Sequence, residues 1–378
     1  MSFLFEGVAR LRASDWLLLL IPLLISLAGV LTMHTFGGEN SLAPRQTLWI
    51  LIATALFVFF ASLDLRFLRR TPVIITTYIA VLMLLVLLLV VAEPIQGAKS
   101  WFSLGTFSFQ PADAAKLVLI ALLAKYFSRR HIEIRNIRHI LISGAYAFAP
   151  AVLVLAEPDL GTAVILGAVW LGMILMSGIS KRHLAAVALL GIVAAALLWF
   201  GGLEEYQRVR ITAFLNPAAD IQGAGYNAYQ AVVAIGSGEV LGKGIGYGTQ
   251  SKLRFLPEYE TDFIFAAFAE EWGFVGIIFL LLLYGILVFR LVHIARRSPT
   301  NFDALFTLGV AILFLSHISI HGGINLGLLP VTGTTIPFMS YGGSHLAMEY
   351  AALGVVVSLA RYGRAVSRET GESEYVGG

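Results

Sequence analysis

The chain contains no cysteine, and only 13% of its 378 residues are charged. The missing cysteine excludes disulfides, thiolate metal sites and cysteine nucleophiles, and leaves the compartment open. The missing charge says more, because a soluble domain normally carries about a quarter charged residues. No Gly-x-Ser-x-Gly elbow is present, nor a strong metal-ligand cluster. No internal repeat stands out at a period of roughly 20–50 residues. Two matched halves with broken helices, the usual transporter cue, are not visible either. What remains is 58% hydrophobic residues, arranged in long runs such as 16–30 and 73–91. About 20 apolar residues span the hydrocarbon core of a bilayer, so lipid is the solvent for most of this surface.

Ten spans are expected, at 15–34, 46–62, 72–92, 111–127, 139–156, 161–178, 183–200, 262–292, 302–321 and 345–362. They predict an all-α polytopic membrane protein of about ten transmembrane helices, with a large external loop between helices 7 and 8. Residues 1–366 form a single transmembrane domain, with the external loop 201–261 as the expected seat of the chemistry. Residues 367–378 are a short cytoplasmic tail, polar and expected to lack structure. The first run follows Arg10 and Arg12 but has no small-residue cleavage site, so it reads as a retained helix.

The basic residues test this arrangement. One set of alternate segments holds 18 of the 26 lysines and arginines, including Arg66, Arg69, Arg70, Lys125, Arg129, Arg296 and Arg297. The other set holds eight, five of them in the long segment, where the orientation rule is weak. Both termini are therefore expected in the cytoplasm. One helix more or fewer would break the alternation. The net charge of +3 is small, and no nucleic-acid partner is expected. Loops 97–111, 201–261 and 322–344 on the external side are rich in Gly, Pro and polar residues. Function tends to sit where irregular backbone is kept.

Four constellations carry chemistry. Asp262 opens the eighth span after Leu256-Pro257-Glu258-Tyr259-Glu260-Thr261. It reads either as a helix N-cap or as a carboxylate at the external boundary, ionised by the helix dipole and placed to accept a proton. Glu270 and Glu271 lie deeper, and structural pairing with a cation competes there with catalysis. Asp113 and Lys116, three apart in Gln110-Pro111-Ala112-Asp113-Ala114-Ala115-Lys116, share a helix face. They make a local ion pair, or Lys116 meets an anionic substrate group. Just upstream, Trp101 is an interfacial anchor or a packing surface for sugar or lipid. The glycine-rich run 236–248 with Lys243 is no P-loop, since three residues separate Gly238 from Gly242-Lys243 and Gly follows Lys. It is either a nest for a pyrophosphate or a flexible turn. His317 and His321 are i, i+4 without the Glu of a zinc protease motif, and suit a helix interface.

In order along the chain come Gly97-Ala-Lys-Ser-Trp101, Gln110-Pro111, Glu157-Pro158-Asp159-Leu160-Gly161-Thr162 and Gly236-Ser-Gly. Then follow Leu256-Pro257-Glu258 with Thr261-Asp262-Phe263, Glu270-Glu271, Asn325-Leu-Gly-Leu-Leu-Pro-Val-Thr-Gly333 and Pro337-Phe-Met-Ser-Tyr-Gly-Gly-Ser344. Together they resemble the SEDS family (shape, elongation, division and sporulation) over almost the whole chain. Gly248-Thr-Gln-Ser251 before Phe255-Leu-Pro-Glu258 looks more like its rod-shape branch than its division branch. The resemblance implies a peptidoglycan polymerase joining lipid II disaccharides during elongation, with undecaprenyl pyrophosphate leaving. It implies Asp262 as general base, and Trp101, Asp113, Lys116, Asp159, Arg210 and Gln230 lining or supporting the site. It also implies a class B penicillin-binding protein and the elongation machinery as partners. No cofactor is required by it, and a divalent cation, Mg or Mn, at the leaving pyrophosphate stays open. Where the family has Glu, this chain has Asp113, one methylene shorter, so a longer contact to Lys116 is expected. Ala231 stands for a usual Ser and Glu239 for a usual Gly. A lipid II flippase or transporter is the rival reading, and a scaffold that only recruits partners is a third.

Overall fold

In lipid, a backbone satisfies its own polar groups as helix or closed barrel, and the apolar runs of this chain take the first course. The computed structural model describes residues 13–37, 42–92, 100–104, 107–129, 137–216, 224–253 and 255–375. Arg10, Arg12, Lys99 and Arg254 lie outside them. The helices are α1 (Ala13–Gly37), α2 (Ala43–Ser62), α3 (Thr71–Val91), α4 (Pro111–Ser128), α5 (Ile137–Ala156), α6 (Leu160–Met176) and α7 (Lys181–Leu197). After them come α8 (Glu205–Leu215), α9 (Ala224–Ser237), the single turn α10 (Thr249–Lys252), α11 (Ile264–Arg296), α12 (Asn301–Asn325) and α13 (Gly343–Tyr375). Eight of these are long and apolar enough to cross a membrane. With the shorter α6 and the charge-bearing α4 they complete the ten expected spans, within a few residues at each end.

Local signals set the boundaries. Prolines at the first turns of α2, α3 and α4 lack only an N–H that would have no helical partner. Ser180, Asp159 and Thr300 cap α7, α6 and α12 by accepting from the third residue onward. The larger of two apolar clusters runs through the bundle and includes Leu18, Phe57, Leu119, Val169, Phe314 and Tyr350; the smaller holds Leu256, Phe263 and Ile324. Large apolar side chains such as Leu51, Met83, Val90 and Phe289 face outward, as a lipid-facing surface requires. Helix α13 is the central one, with 83% of its span buried, whereas α7 has 6% buried and stands almost clear of the bundle.

Two expectations are corrected and one local element is added. The long segment 201–261 is not loop throughout, because α8 and α9 fold within it. The polar tail continues α13 as helix to Tyr375. Between α3 and α4, a hairpin pairs Phe102–Leu104 with Phe107–Phe109.

Candidate active site

Asp262 is held by its main chain rather than by capping. Helix α11 starts at Ile264 with Phe263 at its N-cap and no side-chain cap, so the capping reading of Asp262 falls. Instead, three successive carbonyls are tied down. Tyr341 N–H donates to Glu260 O at 2.8 Å. Ser340 Oγ donates to Thr261 O at 2.8 Å, and Asn325 Nδ2 to Asp262 O at 3.0 Å. A Cβ added to Gly333, which has φ +70°, would lie 3.7 Å from Asp262 Oδ2, so the backbone there comes close to the carboxylate. The carboxylate itself is half-buried.

Its surroundings oppose ionisation. Burial pushes the Asp262 carboxyl up to about 7, Glu258 and Asp159 add to the rise, and the Arg210 guanidinium works against it. Desolvation thus outweighs the helix dipole, contrary to the expectation of a favoured carboxylate. Arg210 also lines a narrow cleft of about 20 Å³ with Pro158, Gln207, Ile211 and the segment Pro330, Val331 and Thr332. Asp159 accepts from Thr162 N–H at 2.9 Å and from Gln110 Nε2 at 3.0 Å. Burial raises its carboxyl too, with Lys116 acting in the opposite sense. Two residues back, Glu157 is fully buried and both carboxylate oxygens lack hydrogen-bond partners. Burial and the nearby Asp159 push it up to about 8, so it is largely protonated at neutral pH.

Beneath lies a line of buried charge. Lys116 Nζ is 2.8 Å from Asp113 Oδ1, with both side chains almost fully buried. The shorter Asp113 therefore closes the contact completely, and the expected lengthening is absent. Ser344 Oγ donates to Asp113 Oδ2 at 3.0 Å, and His345 Nδ1 lies 3.0 Å from Oδ1. Glu349, 3.0 Å from His345 Nε2, also accepts from Phe338 N–H at 2.8 Å. His317 and His321 bring Nδ1 to 3.1 and 2.8 Å from the carbonyls of Thr335 and Thr334 in the segment before α13, and the His317 ring also lies 4.9 Å from that of His345.

The glycine-rich run does something different from cradling phosphate. Gly273 breaks α11 with φ +64°, which opens carbonyls before the break and N–H groups after it. Lys243 and Gly244 donate to the carbonyls of Glu270 and Glu271 at 3.0 Å each. Phe274 and Val275 donate to the carbonyls of Glu239 and Val240 at 2.9 and 3.1 Å. Side chains repeat the pattern. Lys243 Nζ meets Glu270 Oε1 at 2.8 Å, and Gly246 N–H donates to Glu271 Oε1 at 2.5 Å. Glu270 also accepts from Gln250 N–H at 3.0 Å. The cradle's donors and its lysine are thus committed to the broken helix, and the reading of Glu270 and Glu271 as structural partners fits. Glu239, where the family has Gly, takes the left-handed φ of +46° that glycine would adopt freely.

Trp101 follows Ser100, whose Oγ donates to Glu157 O at 3.3 Å, which ties the chain just before Trp101 to the end of α5. Gln230 is half-buried on α9, with no hydrogen bond to the Asp262 group among the described residues. Sequence reasoning quoted Asn325 and Ser344 within motifs without giving either a role, and did not raise Gln207 or His345. Of these, Gln207 alone had a local signal, its capping box with Glu204. No group of three or more His, Asp and Glu gathers as a metal site among the described residues.

The apolar helices define a multi-pass membrane protein, with a candidate site where a pinned carboxylate stands at one end of the bundle above a buried line of charge. The family described as cell cycle protein, FtsW/RodA/SpoVE, matches residues 10–365, and the chain belongs to it. The peptidoglycan glycosyltransferase MrdB of Escherichia coli (strain K12) is 35% identical over 353 residues, covering 93% of this chain and 94% of the relative. The stage V sporulation protein E of Bacillus subtilis (strain 168) is 32% identical over 363 residues, 93% of this chain and 98% of that one. Among solved structures, a chain from a peptidoglycan synthase complex that coordinates polymerization and crosslinking superposes with TM-score 0.79 at 32% identity, covering 93% and 99%. The Thermus thermophilus rod shape determining protein RodA does so with TM-score 0.70 at 31% identity, covering 93% and 98%.

Proposed function

We propose that this protein is a peptidoglycan glycosyltransferase that joins lipid II disaccharides into glycan strands during cell elongation, with Asp262 as general base. The observation that carries the base assignment is a carboxylate free of capping, fixed through its main chain and held near neutrality. A base titrating near 7 balances ionised fraction against proton affinity. The 4-hydroxyl of one disaccharide attacks the anomeric carbon of the lipid-linked chain, and its proton passes to Asp262. The bond to undecaprenyl pyrophosphate breaks, and the leaving group carries away the electron pair. Arg210, whose charge acts on Asp262, is the candidate to offset charge on the departing phosphate. Asp159 and the Lys116–Asp113 pair extend the site inward, with Trp101 and Gln230 as candidate contacts to the glycan. Lys243 acts indirectly, by anchoring the segment that precedes Asp262.

The partner is a class B penicillin-binding protein, in keeping with the likeness to a synthase-complex chain. The basic residues support an inner-membrane orientation with both termini in the cytoplasm and the Asp262 face outside. No observation favours the flippase reading. The test is polymerisation of labelled lipid II by purified protein with its penicillin-binding partner, comparing wild type with Asp262→Asn. Polymer from wild type alone supports both enzyme and base. Polymer from both removes Asp262 as base, and polymer from neither, with the complex intact, removes the polymerase reading.

A further inference from the structure

At the end of the bundle opposite Asp262, three helices leave a cleft of about 390 Å³. Chain direction fixes this placement: α3 and α5 begin there and α4 ends there, whereas Asp159 and Gln110 lie at the other ends of α5 and α4. Thr71, Ile74, Ile75 and Tyr78 line it from α3, and Leu122, Lys125, Tyr126 and Arg129 from α4 and its C-cap, with Tyr146 from α5. Both helices contribute an i, i+3, i+4, i+7 face. From Thr71 to Tyr78 the wall runs about 10 Å along the axis. The cations stand at the end where α4 stops, and the isoleucines, Leu122 and the tyrosine rings line the rest.

Three tyrosines keep the cleft open. Tyr78 Oη donates to Tyr146 O at 2.8 Å, and Tyr126 Oη lies 2.8 Å from His139 Nδ1. The Tyr146 ring meets Tyr126 and Tyr78 edge-on, at centroid distances of 5.8 and 6.3 Å. These contacts bridge α3, α5 and α4, so the space is framed rather than left over from poor packing. With those two hydroxyls turned into the protein, the wall offered to a ligand is mostly apolar.

The mouth is cationic and uncompensated. Arg129 and Arg69 are the charged groups that face Lys125. Arg69 is committed to Asp303, at 2.7 and 3.0 Å, and its carbonyl takes one proton of Lys125. Neither Lys125 nor Arg129 has a carboxylate partner among the described residues. Adjacent cations at a membrane boundary repel one another unless an anion lies between them. Ile75 is exposed on the outer face of α3, so the cleft also opens sideways to lipid. An anion with a hydrocarbon tail satisfies both ends, which a soluble anion does not.

We propose that the α3–α4–α5 cleft is a binding site for one anionic glycerophospholipid, its phosphate on Lys125 and Arg129 and an acyl chain along Ile74, Ile75 and Leu122. The site is separate from the Asp262 chemistry and does not depend on it. A basic pocket between membrane helices is a recurrent way of holding such headgroups.

The test is native mass spectrometry of the full chain with an equimolar mixture of dioleoyl phosphatidylglycerol and dioleoyl phosphatidylcholine. Wild type is expected to retain one phosphatidylglycerol in preference to phosphatidylcholine. Lys125→Gln with Arg129→Gln should weaken that binding about 30-fold. Ile75→Trp, which fills the cleft and leaves the charges, should weaken it as well, and Arg129→Lys should retain most of it. The last two variants carry the test if the double variant does not fold. Equal retention of the two lipids by wild type overturns the proposal, as does full retention in both cleft variants. Loss on charge removal with full retention in Ile75→Trp reduces the site to a surface patch and also overturns it. So does displacement of the lipid by millimolar inorganic phosphate, which would make the ligand a soluble anion.

Discussion

Asn325 holds Asp262 from 63 residues away, donating to its main-chain oxygen at 3.0 Å while accepting from Ala266 N–H at 3.2 Å. Its Nδ2 also reaches His321 O at 2.9 Å. One buried amide therefore joins the last turn of α12 to both sides of the α11 start. Replacing it with Ala leaves buried backbone groups unpaired, at about 1–3 kcal/mol. Because the carboxylate loses its fixed position, Asn325→Ala should lower kcat for glycan polymerisation about 10–100-fold while KM changes little. Steady-state kinetics with lipid II checks this; a change confined to KM would assign Asn325 to substrate binding instead.

The Asp262 carboxyl titrates near 7, and a general base works as the anion. Polymerisation should therefore climb about tenfold per pH unit below 7 and level off above it. Stability runs the other way. With a folded pKa above the ordinary 3.8, the protonated form favours the fold, and that contribution is lost as pH rises through about 7. Asp262→Asn should accordingly abolish polymer and yet unfold at a higher temperature than wild type at pH 8. A flat pH–rate profile between 5.5 and about 8 would contradict the assignment.

The ten spans were legible because a bilayer demands runs of about 20 apolar residues, and nothing else in the chain competes with that signal. Lys116 and Asp113 were legible as a pair because three residues of helix put them on one face. The rest of that charge line was not. Ser344 and His345 reach Asp113 across 231 and 232 residues, and no local spacing encodes such a meeting. Helices α8 and α9 hid inside a polar segment, where loop and amphipathic helix share a composition. The α11 break was masked because a lone glycine inside a long apolar run is tolerated in a helix, and Gly273 was its sole mark.

Glu157 offers a stability test clear of catalysis by Asp262. Its carboxyl is buried without hydrogen-bond partners and titrates near 8 against an ordinary 4.5. The stabilisation it gives as the neutral acid is complete below 4.5 and is lost as pH rises through about 8. Glu157→Gln mimics the neutral form. Thermal unfolding of wild type should fall between pH 5.5 and 8.5, and the variant should fall less. Parallel curves for the two proteins would show that Glu157 does not titrate in that window.

Glu270 and Lys243 make a pair whose removal separates anchoring from catalysis. Glu270 is fully buried and Lys243 partly exposed, so taking away the lysine strands a carboxylate that keeps only its neutral donors from Thr249, Gln250 and Ser251. Lys243→Met should cost about 1–3 kcal/mol. Glu270→Gln in the same chain removes the stranded charge, so the double variant should be more stable than Lys243→Met alone. A coupling of about 0.5–3 kcal/mol is expected from the cycle. Polymerising activity should track the recovered stability, because the Lys243 segment is tied to the helix that Asp262 precedes and has no part in proton transfer. Full stability with activity still lost in the double variant would instead place Lys243 on the substrate.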